Sequence, residues 1–167
     1  MKVAIHQSQY HPWINYYIKI SKADYFVFLD DVQFQKNGLQ NRNKIKTLSG
    51  EKWITIPVKQ SISQKISEVE SQGILWKKKH YNSITQNYKN SVLIFKELYG
   101  DMYQNNVTNL SDINRNIIES TCKYFGIETK IILQSELKPK GVKSDLIIDI
   151  CQALKCDTYI SGPGAIS

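Results

Sequence analysis

Short apolar runs alternate with segments of helical periodicity along this chain of 167 residues. Apolar runs rich in β-branched and aromatic side chains predict buried strands, here at residues 3–5, 25–29, 52–58, 130–133 and 158–161. Apolar spacings of three and four predict helices over residues 14–21, 76–88, 91–103, 110–125 and 144–154. Strands that alternate with helices indicate an α/β fold with a mostly parallel sheet flanked by helices. We interpret this fold as a single Rossmann-like domain over residues 1–167.

Particular residues mark the ends and faces of these predicted helices. Ile14, Tyr17 and Ile18 recur at helical spacing and predict that a helix follows the first strand. Gly126 is placed to follow the end of the helix over residues 110–125, where a left-handed conformation is common. Ser144 is the predicted N-cap of the last helix.

The first strand runs directly into a dense polar and aromatic turn. This turn contains His6, Gln7, Tyr10, His11 and Trp13. Pro12 fixes its own φ and favours an extended conformation for the residue before it, so the chain bends here between strand and helix. In a parallel α/β sheet such a turn lies at the carboxyl end of a strand, where ligands bind. We therefore predict that this turn is the ligand site.

The second strand ends in an acidic segment that should lie beside this turn. Asp30 and Asp31 are adjacent, and neighbouring strand residues point to opposite faces, so only one carboxylate can face the turn. That carboxylate would orient a histidine or bind an amine or a metal. Histidine exchanges protons near neutral pH, so His6, His11 and Asp30 are the catalytic candidates. A surface role is the alternative for His11, and Gln33 joins Asp31 as a candidate substrate-binding residue.

Residues 35–50 lack an apolar period and are rich in Asn, Gly and Lys. Asn41, Arg42 and Asn43 place one guanidinium between two amides. This arrangement suits a phosphate or carboxylate, because Arg offers a planar fork of donors. An ordinary polar loop with a hairpin is the alternative interpretation. Pro57 restricts the strand that follows to a sheet edge or a strand end.

Aromatic side chains, a third histidine and a glycine turn complete the candidate binding residues. Tyr10, Trp13 and Trp53 can stack on a base or a sugar ring, and a place in the core is the alternative for Trp53. His80 follows three lysines on a predicted helix, where a structural or surface role is the alternative. Gly162 begins a two-glycine turn after the last predicted strand, and such a turn can point backbone amides at an anion.

The charge balance narrows the class of partner. The chain has 22 lysines and arginines against 15 aspartates and glutamates, a net charge of +7 and a pI of about 9.2. This excess favours anionic partners. The basic residues are mostly lysines, spread along the chain without the aromatic and basic motif of a nucleic-acid module. We therefore expect a small anionic or sugar-nucleotide substrate and disfavour nucleic acid.

Cysteine and histidine spacing bears on compartment and metal binding. The three cysteines form no CxxC motif, which indicates reduced thiols in the cytoplasm. We expect neither a signal peptide nor a membrane span, since no apolar run approaches the roughly 20 residues that a bilayer requires. The histidines lack HxH or HxxxH spacing, so no metal site is predicted, and the cofactor stays open.

Several segments, taken in order, resemble the WbqC-like family of bacterial proteins. They are QSQYHPWINYY, FVFLDDVQF, NRNKI and WITIPV, followed by WKKKHYNSI and YISGPGA. The resemblance covers essentially the whole chain, and the order of the segments makes it specific. Ser8 and Asn15 depart from the family pattern, which usually has Pro and Gly there. Family members typically continue beyond the last segment, whereas this chain ends at Ser167.

The resemblance implies a role in making bacterial surface polysaccharide such as O-antigen. It implies a transferase that moves an acyl, aminoacyl or nucleotidyl group to a sugar-linked amine or a nucleotide sugar. A non-catalytic module that binds the same ligand and assists glycan biosynthesis is the alternative. A nucleic-acid binder is a third class, which a steep salt dependence of binding would reveal.

Overall fold

The computed structural model describes residues 1–59 and 63–162. Its strands are β1 (Lys2–His6), β2 (Tyr25–Phe28), β3 (Arg42–Thr47), β4 (Gly50–Thr55), β5 (Val58–Lys59), β6 (Glu70–Ser71), β7 (Lys130–Leu133) and β8 (Thr158–Ile160). Its α-helices are α1 (Ile14–Ser21), α2 (Leu75–Asn87), α3 (Val92–Gln104), α4 (Leu110–Tyr124), α5 (Gln134–Leu137) and α6 (Ser144–Ala153). Short 3-10 helices lie at Ile66–Glu68 and Lys89–Ser91.

Within the described residues, the central sheet has four parallel strands in the order β7-β2-β1-β8. β1 and β2 are the inner strands, which explains their uninterrupted apolar sequences. The chain builds outward from β1 through β2 and β7, and then returns to place β8 on the other side of β1. The predicted α/β fold with a parallel sheet flanked by helices is confirmed. The direction of strand addition reverses between β1 and β8.

The hairpin of β3 and β4 lies outside the central sheet. The apolar run over residues 52–58 forms much of β4, but it pairs antiparallel with β3. The alternative interpretation of residues 35–50, a polar loop with a hairpin, is confirmed by this pairing. β3 shows no apolar period because Ile45 is its one buried residue, among charged and polar neighbours. β4 ends two residues before Pro57, in agreement with the predicted position of Pro57.

Helices cover both faces of the sheet. On one face, Ala4, Phe26 and Phe28 pack against α1 and α4. On the other face, Val3, Ile5 and Val27 pack against Leu146 and Ile150 of α6. These residues alternate along the strands because successive strand side chains point to opposite faces.

The buried face of α1 differs from the one that its first apolar residues suggest. Tyr16, Tyr17 and Ile20 are buried, while Ile14 and Ile18 are exposed. Tyr16 packs its ring edge to face on Phe26, with centroids 5.4 Å apart. The two tyrosines offer more apolar area to the sheet than the isoleucines, which explains the rotation of the helix.

A second core lies between the hairpin and helices α2, α3 and α4. It contains Ile45, Ile54, Trp76, Met102 and Ile113 among its buried residues. α4 belongs to both cores, since Ile113 and Ile117 face the second core while Ile118 and Cys122 face the sheet. The turn after β1 reaches this second core through Tyr10. The turn therefore connects the sheet to the hairpin and its helices.

The helix ends confirm one prediction and correct another. Gly126 follows α4 with φ of 64°, the left-handed conformation predicted for it. Ser144 is the first residue of α6 and not its N-cap, a position that Lys143 occupies with φ of 54°. The preceding loop is held instead by the Asp149 carboxylate, which accepts hydrogen bonds from the backbone N–H groups of Lys140 and Gly141.

Candidate functional site

His6 ends the central strand, and its imidazole has a fixed orientation. Its Nδ1 lies 2.9 Å from the backbone carbonyl oxygen of Gln7. Because a carbonyl only accepts hydrogen bonds, Nδ1 carries the proton of the neutral ring, and Nε2 is left as a proton acceptor. The Tyr16 hydroxyl donates to the same carbonyl at 3.0 Å, and its ring packs edge to face on His6. His6 is therefore well held, and its catalytic role stays a prediction.

Lys19 brings a positive charge to the border of β1 and β8. Its Nζ donates to the Ile5 carbonyl oxygen at 2.9 Å and lies 5.8 Å from the centre of the Tyr159 ring. Burial lowers the pKa of the Lys19 ammonium. Burial also lowers the pKa of His6 below its ordinary value of 6.5, and the charge of Lys19 adds to this effect. The His6 imidazole is consequently neutral at pH 7.

Gly162 follows β8 at the same edge of the sheet. Ala4 is in register with Ile160, and His6 and Gly162 each lie two residues beyond this pair. Pro163 and Gly164, the rest of the predicted amide-rich turn, lie outside the described residues. The predicted anion-binding role of Gly162 therefore stays a prediction.

The first part of the turn is anchored by buried amide groups. Gln40 donates from Nε2 to Gln7 Oε1 at 2.7 Å. Asn114 of α4 donates from Nδ2 to the Gln40 carbonyl oxygen at 2.8 Å and to Ser8 Oγ at 3.3 Å. Gln7 thus serves to join the turn to the segment before β3. Ser8, where the family usually has Pro, supplies an oxygen that accepts one of these bonds.

The second part of the turn enters a buried chain of hydroxyl and imidazole groups. The Tyr10 hydroxyl lies 2.9 Å from Nδ1 of His80 and 2.6 Å from the Tyr103 hydroxyl. The Tyr103 hydroxyl lies 2.8 Å from Nε2 of His11. Asn43 fixes the backbone beneath this chain, because its Nδ2 donates to the carbonyl oxygens of Tyr10 and His11.

The direction of these hydrogen bonds follows from the protonation of His80. The Thr55 backbone favours the protonated form of the ring and so acts on its pKa as an acceptor, and we therefore assign the ring N–H to the nitrogen that does not face Tyr10. Nδ1 of neutral His80 then accepts from Tyr10, Tyr10 accepts from Tyr103, and Tyr103 accepts from Nε2–H of His11. Each group in this chain of hydrogen bonds is therefore either the donor or the acceptor of a given bond. These bonds hold His11 at φ of 46°, an unusual value for a residue other than glycine.

Burial shifts the pKa of each group in this chain of hydrogen bonds in the direction that favours the neutral form of the group. Burial lowers the pKa of His11 to about 3, and the nearby His80 adds to this effect. Burial lowers the pKa of His80 to about 4, and the charge of Lys52 acts in the same direction. Burial raises the pKa of Tyr10 and of Tyr103. The four side chains therefore stay uncharged at pH 7.

We expect Tyr10→Phe to lower the free energy of unfolding by about 2 kcal/mol, because the exchange removes the donor to buried His80 Nδ1 and the acceptor of the Tyr103 hydroxyl proton. Urea denaturation followed by circular dichroism measures this change. Tyr81→Phe is the matched control, since Tyr81 packs against the same core. Equal losses in Tyr10→Phe and Tyr81→Phe would contradict the role assigned to the Tyr10 hydroxyl.

The complete burial of Tyr10 corrects the expectation that it stacks on a ligand. Its ring packs edge to face on Trp76 and its hydroxyl is used within the core. His11 is likewise not a free surface residue, because its ring lies parallel to Tyr103 and edge to face with Tyr99. Trp13, in contrast, is 60% exposed and keeps its ring available to a ligand.

The structure also corrects the expectation that Asp30 orients a histidine. Asp30 is buried at the end of β2, where Oδ1 accepts from the backbone N–H of Ser135 at 3.0 Å and Oδ2 from its hydroxyl at 2.6 Å. The carboxylate therefore holds the start of α5, which follows the neighbouring strand β7. Asp31 is exposed and forms a 2.6 Å ion pair with Lys65, and Gln33 forms an isolated β-bridge with the same lysine.

The predicted anion clamp begins strand β3, and its three side chains have different surroundings. Asn41 is buried and donates from Nδ2 to the Ile56 carbonyl oxygen at 3.0 Å. Arg42 places its guanidinium 4.4 Å from the centre of the Trp53 ring and donates to the Asn37 carbonyl oxygen. Asn43 supports the turn as described above. The three residues therefore do not converge on one anion, and an anion contact of Arg42 stays a prediction.

Several side chains near the predicted site residues were not among the candidates named from the sequence. Lys19, Tyr103, Ser135, Lys52 and Lys79 contact or adjoin the predicted residues. The spacing of Lys79 and Ser83 with Trp76 and His80 along one helix was a signal for a shared face. Lys19 and Tyr103 lie on amphipathic helices, where nothing in the local sequence distinguishes them from surface and core residues.

Among the described residues, no group of three or more His, Cys, Asp or Glu side chains is arranged to hold a metal ion. No helix in the same part of the chain has the length and apolar character needed to cross a membrane. Its three cysteines are unpaired.

Comparison with known proteins places the chain in a family. It is 37% identical over 172 residues to uncharacterized protein Rv1507c of Mycobacterium tuberculosis, an alignment that covers 99% of this chain and 74% of the relative. No solved structure matches the fold. The model of the WbqC-like protein family matches residues 7–167. The chain therefore belongs to the WbqC-like protein family.

Proposed function

We propose that the protein is a transferase of bacterial O-antigen or other surface polysaccharide biosynthesis. It moves an acyl, aminoacyl or nucleotidyl group to a sugar-linked amine or a nucleotide sugar. The observation that carries this proposal is the neutral, oriented imidazole of His6 at the carboxyl end of the central strand. Membership of the WbqC-like family supports the proposal, because the resemblance to that family implies a role in making surface polysaccharide.

The position of His6 in the sheet supports a ligand site at this point. Counted in chain order, the sheet strands have the spatial order 3-2-1-4, which equals the first four strands of the order 3-2-1-4-5-6 of dinucleotide-binding Rossmann sheets. Ligands of such sheets bind outside the carboxyl ends of the strands where the strand order reverses. His6 ends the first strand at this reversal, and we therefore propose a Rossmann-like site here.

The charge beside His6 suits a nucleotide-linked substrate. Lys19 uses one of its ammonium protons on the Ile5 carbonyl oxygen, so its remaining donors can bind a diphosphate. Exposed Trp13, in the turn that follows, offers a face for a base or a sugar ring. In this proposal Lys19 binds the charged part of a nucleotide sugar and Trp13 its cyclic part.

His6 would act as the general base of the transfer. The neutral amine of the sugar attacks the acyl carbon or the phosphorus of the donor through its lone pair. As the new bond to nitrogen forms, Nε2 of His6 takes one N–H proton, and the donor's leaving group departs with the electrons of the broken bond. Gln7 and Tyr16 keep the ring in the required orientation through the shared carbonyl oxygen.

A product assay tests this proposal. The purified protein is incubated with a nucleotide-linked amino sugar and with candidate acyl, aminoacyl or nucleotide donors, and products are identified by mass spectrometry. We expect a product whose mass equals the acceptor plus the transferred group. Binding of the nucleotide sugar without any product, across all donor classes, would argue against a transferase.

A non-catalytic binding module is the second candidate, and the hydrogen bonding of the other predicted catalytic residues favours it. His11 is bound to Tyr103, and Asp30 is bound to Ser135. Both groups are thus used to hold the fold. If ligand binding occurs and His6→Ala changes neither binding nor the yield of a partner glycosyltransferase, the module is the better description.

In both candidate functions the protein binds a small anionic substrate. The three unpaired cysteines support a reducing compartment, and we propose the cytoplasm.

A further inference from the structure

A groove of about 380 Å³ lies between β4 and α2, on a part of the molecule that the proposed transfer does not use. Its floor is formed by one stripe of α2, in which Trp76, Lys79, His80 and Ser83 follow each other at helical spacings of three and four. Lys52, Trp53 and Thr55 of β4 form the facing wall. The groove is thus lined by polar and basic side chains together with two tryptophans, Trp53 and Trp76.

The side chains of this groove have a positive net charge. Lys52 and Lys79 are exposed, and no aspartate or glutamate lines the groove among the described residues. Lys52 Nζ lies 3.5 Å from Ser83 Oγ, and its charge is close enough to affect His80. Two ammonium groups, a hydroxyl and an imidazole therefore converge from two secondary-structure elements.

His80 adds a buried polar group to this surface. Only 7% of the residue is exposed, and its ring is held from behind by Tyr10 at 2.9 Å. The imidazole is therefore a fixed feature of the groove floor, unlike the long side chains of the two exposed lysines. Because its two nitrogens face Tyr10 and Thr55, His80 shapes the groove, and the groups left to contact an anion are the two lysines and Ser83.

We propose that this groove is a binding site for a phosphate ester of a small organic molecule, such as a sugar phosphate. Two ammonium groups match the two negative charges of a phosphate monoester, and Ser83 supplies a neutral donor. Pro57 and Leu75 at the rim give the organic part apolar contacts. This site is separate from the one at His6, so the proposal does not depend on the proposed function.

Isothermal titration with glucose 1-phosphate tests the proposal, with glucose as the neutral control ligand. We expect measurable binding of the phosphate ester and none of glucose. Lys52→Gln and Lys79→Gln should each weaken binding about tenfold, because each removes one charge-assisted hydrogen bond. Lys78→Gln is the matched control, since Lys78 is the exposed neighbour of Lys79 on α2 and does not line the groove.

The site at His6 must be excluded as the source of the signal. Lys19→Gln removes the charge beside His6, and the binding of glucose 1-phosphate that Lys79→Gln weakens should persist in this variant. Thermal unfolding of all four variants verifies that they fold. Absence of binding, equal affinity of Lys79→Gln and Lys78→Gln, or loss of binding in Lys19→Gln alone would each overturn the proposal.

Discussion

Lowering the pH from 7 to 5 should reduce the free energy of unfolding by about 4 kcal/mol. In the unfolded chain, His11 and His80 become protonated below their ordinary pKa of 6.5. In the folded protein, the pKa of His11 is lowered to about 3 and that of His80 to about 4, so both rings stay neutral. The unfolded state therefore binds more protons between pH 6.5 and 4, and stability falls as the pH falls through this window.

Urea denaturation at pH 7 and pH 5 measures this difference. Aspartates and glutamates titrate mainly below pH 5, so histidines dominate the chosen interval. His80→Gln keeps an acceptor for the Tyr10 hydroxyl and should remove about half of the pH dependence. Equal free energies of unfolding at the two pH values would show that these imidazoles are not held neutral.

The parallel sheet was predictable because its signals are local. The apolar runs of β1 and β2, the inner strands, and of β7 at the edge are short, uninterrupted and bounded by polar residues. The hairpin was foreseen only as an alternative, and the bounds of strand β3 were not predicted, since it buries Ile45 alone among polar and charged residues. The face of α1 also depended on packing, because tyrosines and isoleucines both suit a buried position.

For the site as well, features set by neighbouring residues could be predicted, and contacts with residues far along the chain could not. His6 could be placed at the end of a strand because strand and histidine are adjacent in sequence. The partners of Tyr10 and Asp30 could not be predicted, since Tyr103 and Ser135 lie 93 and 105 residues further along the chain. Adjacent polar residues in a turn therefore indicated a structured region correctly, but not which of them support the fold.

The candidate site residues differ in whether their polar atoms are already hydrogen-bonded within the protein. Tyr10, His11 and Asp30 direct these atoms at other parts of the protein. His6 uses only Nδ1 for such a contact and retains Nε2. His11 also uses only one nitrogen, but its ring is packed between Tyr99 and Tyr103, whereas His6 lies at the carboxyl end of the central strand with Nε2 as a proton acceptor.

His6→Ala should lower the turnover number of the proposed transfer by about 10² to 10⁴-fold while leaving the affinity for the nucleotide sugar nearly unchanged. The variant removes the proton acceptor but none of the donors that bind the diphosphate. Initial rates from mass spectrometry and dissociation constants from isothermal titration measure the two effects separately. Lys19→Gln is the matched variant, and it should weaken binding with a smaller effect on turnover.

The pH profile distinguishes a general base from a structural residue. Burial, assisted by Lys19, lowers the pKa of His6 below 6.5, so Nε2 stays available down to a lower pH than in an ordinary histidine. The rate of the unchanged protein should therefore fall only below pH 6.5, as His6 becomes protonated. The residual rate of His6→Ala should lack this step. A variant that retains the step, or that loses turnover and affinity in equal measure, would assign His6 to ligand binding or to the fold, and the proton would then have another acceptor.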